Sequence, residues 1–177
     1  MAGQDIFGGH VVLIVDEFEF RRALIVDFLK DWAAAEKVDL VAHTQNAAHA
    51  WLREGFDCKL IVFNAGGKSC SSTDAIAEIK VLRALSPATS LVVLAESDDP
   101  AGVLAVMQSG ADGYPSEGTA PTLVLRALSF LLQGGTYFPR SALSQSPFRH
   151  ENPLSDLTVW DSPQTGSDLE GSTTPSQ

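Results

Sequence analysis

Cysteine is scarce: Cys58 and Cys70 are the two in a chain of 177 residues. Two thiols cannot staple a small secreted scaffold, so the sequence points to a reducing, cytoplasmic setting. No apolar run reaches the ~18 residues that span a membrane. The opening residues, Met-Ala-Gly-Gln-Asp-Ile-Phe, lack the basic stretch and apolar run of an export signal. Basic residues are also few: 12 Lys and Arg stand against 22 Asp and Glu, a net charge of −10. Such an acidic surface repels phosphate backbones, so this chain is not expected to bind nucleic acid directly. His10, His43, His49 and His150 show no metal-ligand spacing and read as structural or surface residues.

What the chain does have is a regular alternation of short apolar runs and amphipathic stretches. Strands are expected at 10–15, 38–42, 60–63, 91–94 and, briefly, 112–114. Helices are expected at 18–35, 46–54, 72–85, 100–109 and 119–133, with Ser72 or Thr73 as an N-cap and Gly110 closing the fourth. Continuous apolar strands alternating with helices specify a parallel sheet covered on both faces, with its cleft at the strands' C-terminal ends. This domain takes in residues 8–144. Residues 145–177 are rich in Ser, Thr, Pro and acids and are expected to form a disordered tail or linker. One patch there, Leu-Ser-Asp-Leu-Thr-Val-Trp at 154–160, is apolar enough to dock on a partner.

Two local signals do not support a site. Gly-Gly-Lys-Ser at 66–69 follows a strand and precedes a helix, as a phosphate-binding loop does. That loop needs a glycine where Val62 stands, inside the strand, so the segment is too short to wrap a phosphate. Cys70, beside Lys68, reads as an incidental surface thiol, and Cys58 as core.

Val-Asp-Glu at 15–17, Gly-Ala-Asp-Gly-Tyr at 110–114 and Leu-Val-Leu-Arg-Ala-Leu-Ser-Phe-Leu-Leu-Gln-Gly-Gly at 123–135 carry a resemblance. In their order and spacing they resemble bacterial response-regulator receiver domains, in the NarL/FixJ subfamily that carries a C-terminal helix-turn-helix. The resemblance implies a doubly wound, flavodoxin-like α/β fold: a five-stranded parallel sheet in the order 2-1-3-4-5, with helices on both faces. It also implies a phosphorylation pocket of two acids, an acceptor aspartate, a Thr or Ser and a lysine. Asp16 and Glu17 keep the acids, but the other positions fall on Asn64, Ala95 and Glu117. A neutral amide cannot form the mixed anhydride, an alanine has no hydroxyl, and an anion replaces the cation that would neutralise phosphoryl charge. The pocket is therefore expected to be degenerate and the chain not to be an enzyme. Asp16, Glu17 and Asn64 are the candidates for a weak Mg²⁺ site, though without phosphoryl oxygens a solvated acidic cluster is the simpler reading. No other cofactor is expected. Lys68 is long enough to swing toward the pocket in place of the missing lysine.

The first and last helices are more apolar than one sheet face requires. In the last, Leu123, Val124, Ala127, Leu128 and Leu131 share a side, and Leu125, Phe130 and Leu132 widen the arc to roughly 220°. In the first, Val26 and Leu29 lie off the face set by Phe20, Leu24 and Phe28. A deeper core is one explanation; the excess favours an interface through Val26, Leu29, Leu125, Phe130 and Leu132. The expected function is a phosphorylation-independent regulatory module in two-component-like signalling. It would be the dimerising N-terminal domain of a LuxR/NarL-type transcription regulator whose DNA-binding domain lies outside this chain. The alternative is a stand-alone adaptor for other signalling proteins.

Overall fold

The computed structural model describes residues 10–66, 72–96, 99–116 and 118–139. The apolar runs form four parallel strands: β1 (Val11–Val15), β2 (Asp39–His43), β3 (Leu60–Asn64) and β4 (Ser90–Leu94). Their order is β2-β1-β3-β4, with Leu13 paired to Val41 and Ile61, and Val62 to Val92. Between and after them run α1 (Glu19–Glu36), α2 (Gln45–Arg53), α3 (Thr73–Leu85), α4 (Pro100–Gln108) and α5 (Pro121–Leu132). Among the described residues, no helix is long and apolar enough to cross a membrane.

β1 is buried along its whole length, and its side chains alternate between two cores. Leu13 and Val15 join Phe63, Ile79, Leu82, Val106 and Tyr114 on one face. Val12 and Ile14 join Val62, Val92, Leu29, Trp32, Leu128 and Leu131 on the other. Buried-both-sides strands are what made the runs continuous in the sequence. Helix ends follow local chemistry: Ser72 Oγ accepts from the Ala75 N–H at 3.3 Å, Asp99 Oδ2 from the Gly102 N–H at 2.9 Å, and Gly110 takes φ +102° just past α4.

The expected fifth strand does not form a continuous ladder. Residues 112–116 meet β4 and the residue after it through isolated parallel bridges, Gly113 to Val92 and Ser116 to Ala95. Pro115 has no N–H to donate and Gly113 has little strand preference, so the five-stranded sheet is reduced to four strands with a bridged edge. Gly113 has a packing role instead. A Cβ there would lie 2.7 Å from Leu131 Cδ1 and 3.2 Å from Val92 Cγ2, so its absence lets α5 close on the sheet.

The inward face of α1 also differs from expectation. Leu29, at 2% exposure, is core and not interface, together with Trp32 and Ala33. Val26 is partly buried against them. Phe20, Leu24 and Phe28 form the outward stripe, at 74%, 53% and 43% exposure. The helix carries apolar stripes on both sides, so periodicity alone cannot choose between them. The tertiary fold chooses through Trp32, whose Nε1 donates to Ser129 Oγ on α5 at 2.9 Å, while Ser129 Oγ donates to Glu36 Oε1 at 2.5 Å. On α5, Leu125 and Leu132 are partly buried against the core, and Phe130 and Leu123 are exposed.

Candidate functional site: the pocket at the strand ends

The pocket is built at the C-terminal ends of the strands. Asp16 follows β1 directly and is fully buried, its N–H held by the His43 carbonyl at 3.1 Å. Asn64 closes β3. Between them the chemistry is complementary: Asn64 Nδ2 donates to Asp16 Oδ2 at 2.5 Å, and Asn64 Oδ1 accepts from the Gly66 N–H at 3.2 Å. A carboxylate can only accept and an amide offers both functions, so one asparagine serves both neighbours.

Asp16 has a second and stronger partner, Arg21, which lies in the first turn of α1. Arg21 Nε donates to Oδ2 at 2.9 Å and to Oδ1 at 3.1 Å, and Nη2 donates to Oδ1 at 2.9 Å. Oδ1 also accepts from the Phe18 N–H at 2.7 Å. Arg21 Cζ sits 4.4 Å from the centroid of the Phe18 ring, in cation–π contact. Gly66, at φ +63°, completes the cradle, since a Cβ there would come within 2.7 Å of Arg21 Nη1. Arg22 adds to the tie: its Nη1 donates to the carbonyls of Asp16 (2.7 Å) and Glu17 (3.0 Å).

Arg21 is the residue that sequence reasoning missed. Its signal was present: Arg21, Ile25 and Leu29 lie four residues apart on one helical line. A cation in register with core positions has to meet an anion at the strand ends. The choice of Phe20, Leu24 and Phe28 as the inner face hid it.

Glu17 lines the same cavity as Arg21 and Asn64. It is exposed, and its Oε1 accepts from the Gln45 N–H at 2.8 Å, satisfying a free donor at the start of α2. Ala95 is buried and lines a separate groove of about 230 Å³, with Phe28, Pro115 and Thr119. The structure thus brings Asp16 and Asn64 into contact, sets Glu17 on the wall of the same cavity with Oε1 bonded to the Gln45 N–H, and places Ala95 in another groove. Glu117, Lys68, Cys70 and the whole of 145–177 lie outside the described residues. The cavity, of about 370 Å³, opens over Glu17, Phe18, Arg21, Gln45, Asn64 and Asp74.

The residues do not fit the Mg²⁺ that the resemblance implies. The ion takes oxygen ligands in octahedral geometry. Here both Asp16 oxygens already accept from nitrogen donors, the Asn64 oxygen is turned to Gly66, and a guanidinium stands against the carboxylate. Among the described residues, no three His, Cys, Asp or Glu side chains are grouped to hold a metal ion.

No family model matches the sequence, and no curated protein matches it. Solved structures do. A LuxR family DNA-binding response regulator from Silicibacter pomeroyi aligns with a TM-score of 0.60 at 25% identity, covering 75% of this chain and 98% of that one. The isolated receiver domain of RcsB from Salmonella enterica serovar Typhimurium, in the presence of a phosphomimetic, aligns at 0.62 and 24% identity, covering 77% and 98%. The chain has the receiver fold. A structure of two RcsB dimers bound to two parallel DNAs aligns at a TM-score of 0.58 and 23% identity, covering 77% of this chain and 66% of that one. Within the receiver fold, Gly-Ala-Asp-Gly-Tyr at 110–114 is an architectural element. Asp112 Oδ2 accepts from the Leu91 N–H at 2.8 Å, and Tyr114 is buried in the core.

Proposed function

We propose that this chain is a phosphorylation-independent regulatory module of the signal-transduction type, a pseudo-receiver that acts by binding partners. One observation carries the reading. The acceptor position is an asparagine whose amide is hydrogen-bonded to the buried Asp16 and to Gly66. An amide is a very poor nucleophile toward phosphorus compared with a carboxylate, and this one is already committed to its neighbours.

The partner in this reading is a second copy of the chain. Phe20, Leu24 and Phe28 on α1, with Leu123 and Phe130 on α5, are large apolar side chains left on the surface. An isologous contact would cover both sets at once. DNA contact, as in the LuxR-type neighbours, would then fall to residues beyond this sequence, with 145–177 as the linker. The role of the dimer would be to set the distance between two DNA half-sites.

The test is incubation with acetyl phosphate or phosphoramidate in the presence of Mg²⁺, followed by intact-protein mass spectrometry. No phosphoryl adduct is expected. A hydroxylamine-labile phosphoryl adduct mapped by peptide analysis to residues 16–66 would overturn the reading. Asn64→Asp alone should restore little, because Ala95 still lacks a hydroxyl and Arg21 still holds Asp16.

A further inference from the structure

We infer that Arg21 is a built-in counter-ion which takes, within this chain, the place a diffusible divalent cation would have at the strand ends. It excludes such a cation from the pocket of the native protein. The inference rests on the receiver-like reading of the pocket, but not on whether the pocket accepts phosphate.

The argument starts with Asp16. A carboxylate that is fully buried needs both hydrogen bonds and a compensating positive charge. A diffusible cation can supply the charge only if it reaches at least one carboxylate oxygen. Here Arg21 Nε reaches both oxygens and Nη2 reaches one of them, so the guanidinium fork lies flat against the carboxylate. Asn64 Nδ2 completes the shell on Oδ2, and the Phe18 N–H completes it on Oδ1. A metal would have to displace the fork and then sit beside its charge.

The surroundings are shaped for the guanidinium. Gly66 leaves open the volume that its Nη atoms approach, at 2.7 and 2.8 Å from where a Cβ would be. The Phe18 ring stacks under it at 4.4 Å, a contact that a hydrated Mg²⁺ would not make in the same way. Glu17 would normally be a second ligand, but it caps α2 through the Gln45 N–H. Carboxylate, amide, glycine and aromatic ring thus all converge on one side chain of α1.

The consequence is a pocket held in one charge state. A site that exchanges a cation can report its presence; a site with a tethered cation cannot. Arg21 lies next to Phe20, in the same turn of α1 that begins the exposed apolar stripe. The fork therefore anchors that turn to β1 and β3 whatever the divalent ion concentration.

The experiment is thermal unfolding of the full chain, followed by circular dichroism in EDTA and in about 10 mM MgCl₂ or MnCl₂, a concentration that would reveal a millimolar site. Wild type should unfold at the same temperature in all three. Arg21→Ala should unfold earlier in EDTA and regain roughly 3–6 °C with Mn²⁺, because the freed Asp16 carboxylate now accepts the ion. Arg21→Ala combined with Asp16→Asn should lose that gain. A wild-type protein stabilised by Mn²⁺ as much as Arg21→Ala would overturn the inference. So would an Arg21→Ala protein that folds but is indifferent to both ions. If Arg21→Ala fails to fold, Mn²⁺ electron paramagnetic resonance on wild type decides. Binding tighter than about 1 mM that Asp16→Asn abolishes would refute the exclusion, and no such binding would support it. None of these measurements uses a phosphoryl donor, so this inference can fail while the pseudo-receiver reading stands, and the reverse.

Discussion

Arg83 on α3 and Asp112, in the segment after α4, form an ion pair at 2.5 Å that joins two elements with no sequence proximity. The same guanidinium donates to the Gly110 carbonyl through Nε (2.9 Å) and Nη2 (2.7 Å), and through Nη1 to the carbonyls of Thr89 (2.7 Å) and Pro87 (3.1 Å). One planar fork therefore ties the end of α3, the start of β4 and the bridged edge of the sheet. Gly110 belongs to this arrangement: a Cβ there would lie 3.1 Å from Arg83 Cγ.

Arg83→Met should destabilise the domain by about 1–3 kcal/mol, since several carbonyls and a carboxylate lose their donor together. Arg83→Lys should recover only a small part, because an ammonium cannot match the fork. Urea unfolding monitored by circular dichroism measures both. A loss below about 0.5 kcal/mol for Arg83→Met would show the network to be dispensable.

The two sides of α1 should respond differently to substitution. Leu29→Ala, in the core, should cost about 2–4 kcal/mol, whereas Leu24→Glu, on the exposed stripe, should leave stability within about 1 kcal/mol. If the exposed stripe pairs two copies, Leu24→Glu should convert a dimer to a monomer, read as molar mass by light scattering. Leu125, partly buried against the core, is a poorer probe because a charge there would disturb the fold as well. A wild-type monomer at high concentration would remove the dimer from the proposal.

Cys58 supplies a pH test. Burial pushes its thiol up from about 9 to about 11, with the neighbouring Thr89 lowering it in part. The folded state then holds the proton more tightly than the unfolded state, so this contribution to stability is whole below pH 9. It is lost as pH rises from 9 to 11, and amounts to about 2–3 kcal/mol at most. Unfolding at pH 8 and pH 10.5 should show a larger drop for the Cys70→Ser protein than for Cys58→Ala/Cys70→Ser. Equal drops would mean that other groups carry the alkaline loss.

His49 and Glu78 illustrate how local patterns run out. Each is a polar residue on a helix, and neither position shows a site in the sequence. The structure turns them to each other across α2 and α3, His49 Nε2 to Glu78 Oε1 at 2.7 Å, with both side chains largely buried. The pairing needs two helices to lie side by side, which no spacing within either one encodes.

The sequence by itself determined the order of strands and helices, because doubly buried strands must be continuous apolar runs and helices must be amphipathic. It determined several boundaries, through Ser72 as a cap and Gly110 as a stop. It also determined that an amide and not a carboxylate, Asn64, ends β3, since that is a matter of residue identity. Only the tertiary structure decided which stripe of α1 faces the sheet, because both are apolar and periodicity is blind to the choice. That one decision then placed Arg21 on Asp16, Leu29 in the core and Phe20 in solvent. The packing over the bridged edge was likewise a tertiary outcome: a Cβ at Gly113 would meet Leu131 on α5, an approach that no local pattern encodes. Side-chain identity is local, but which neighbour neutralises a buried charge depends on how whole elements pack.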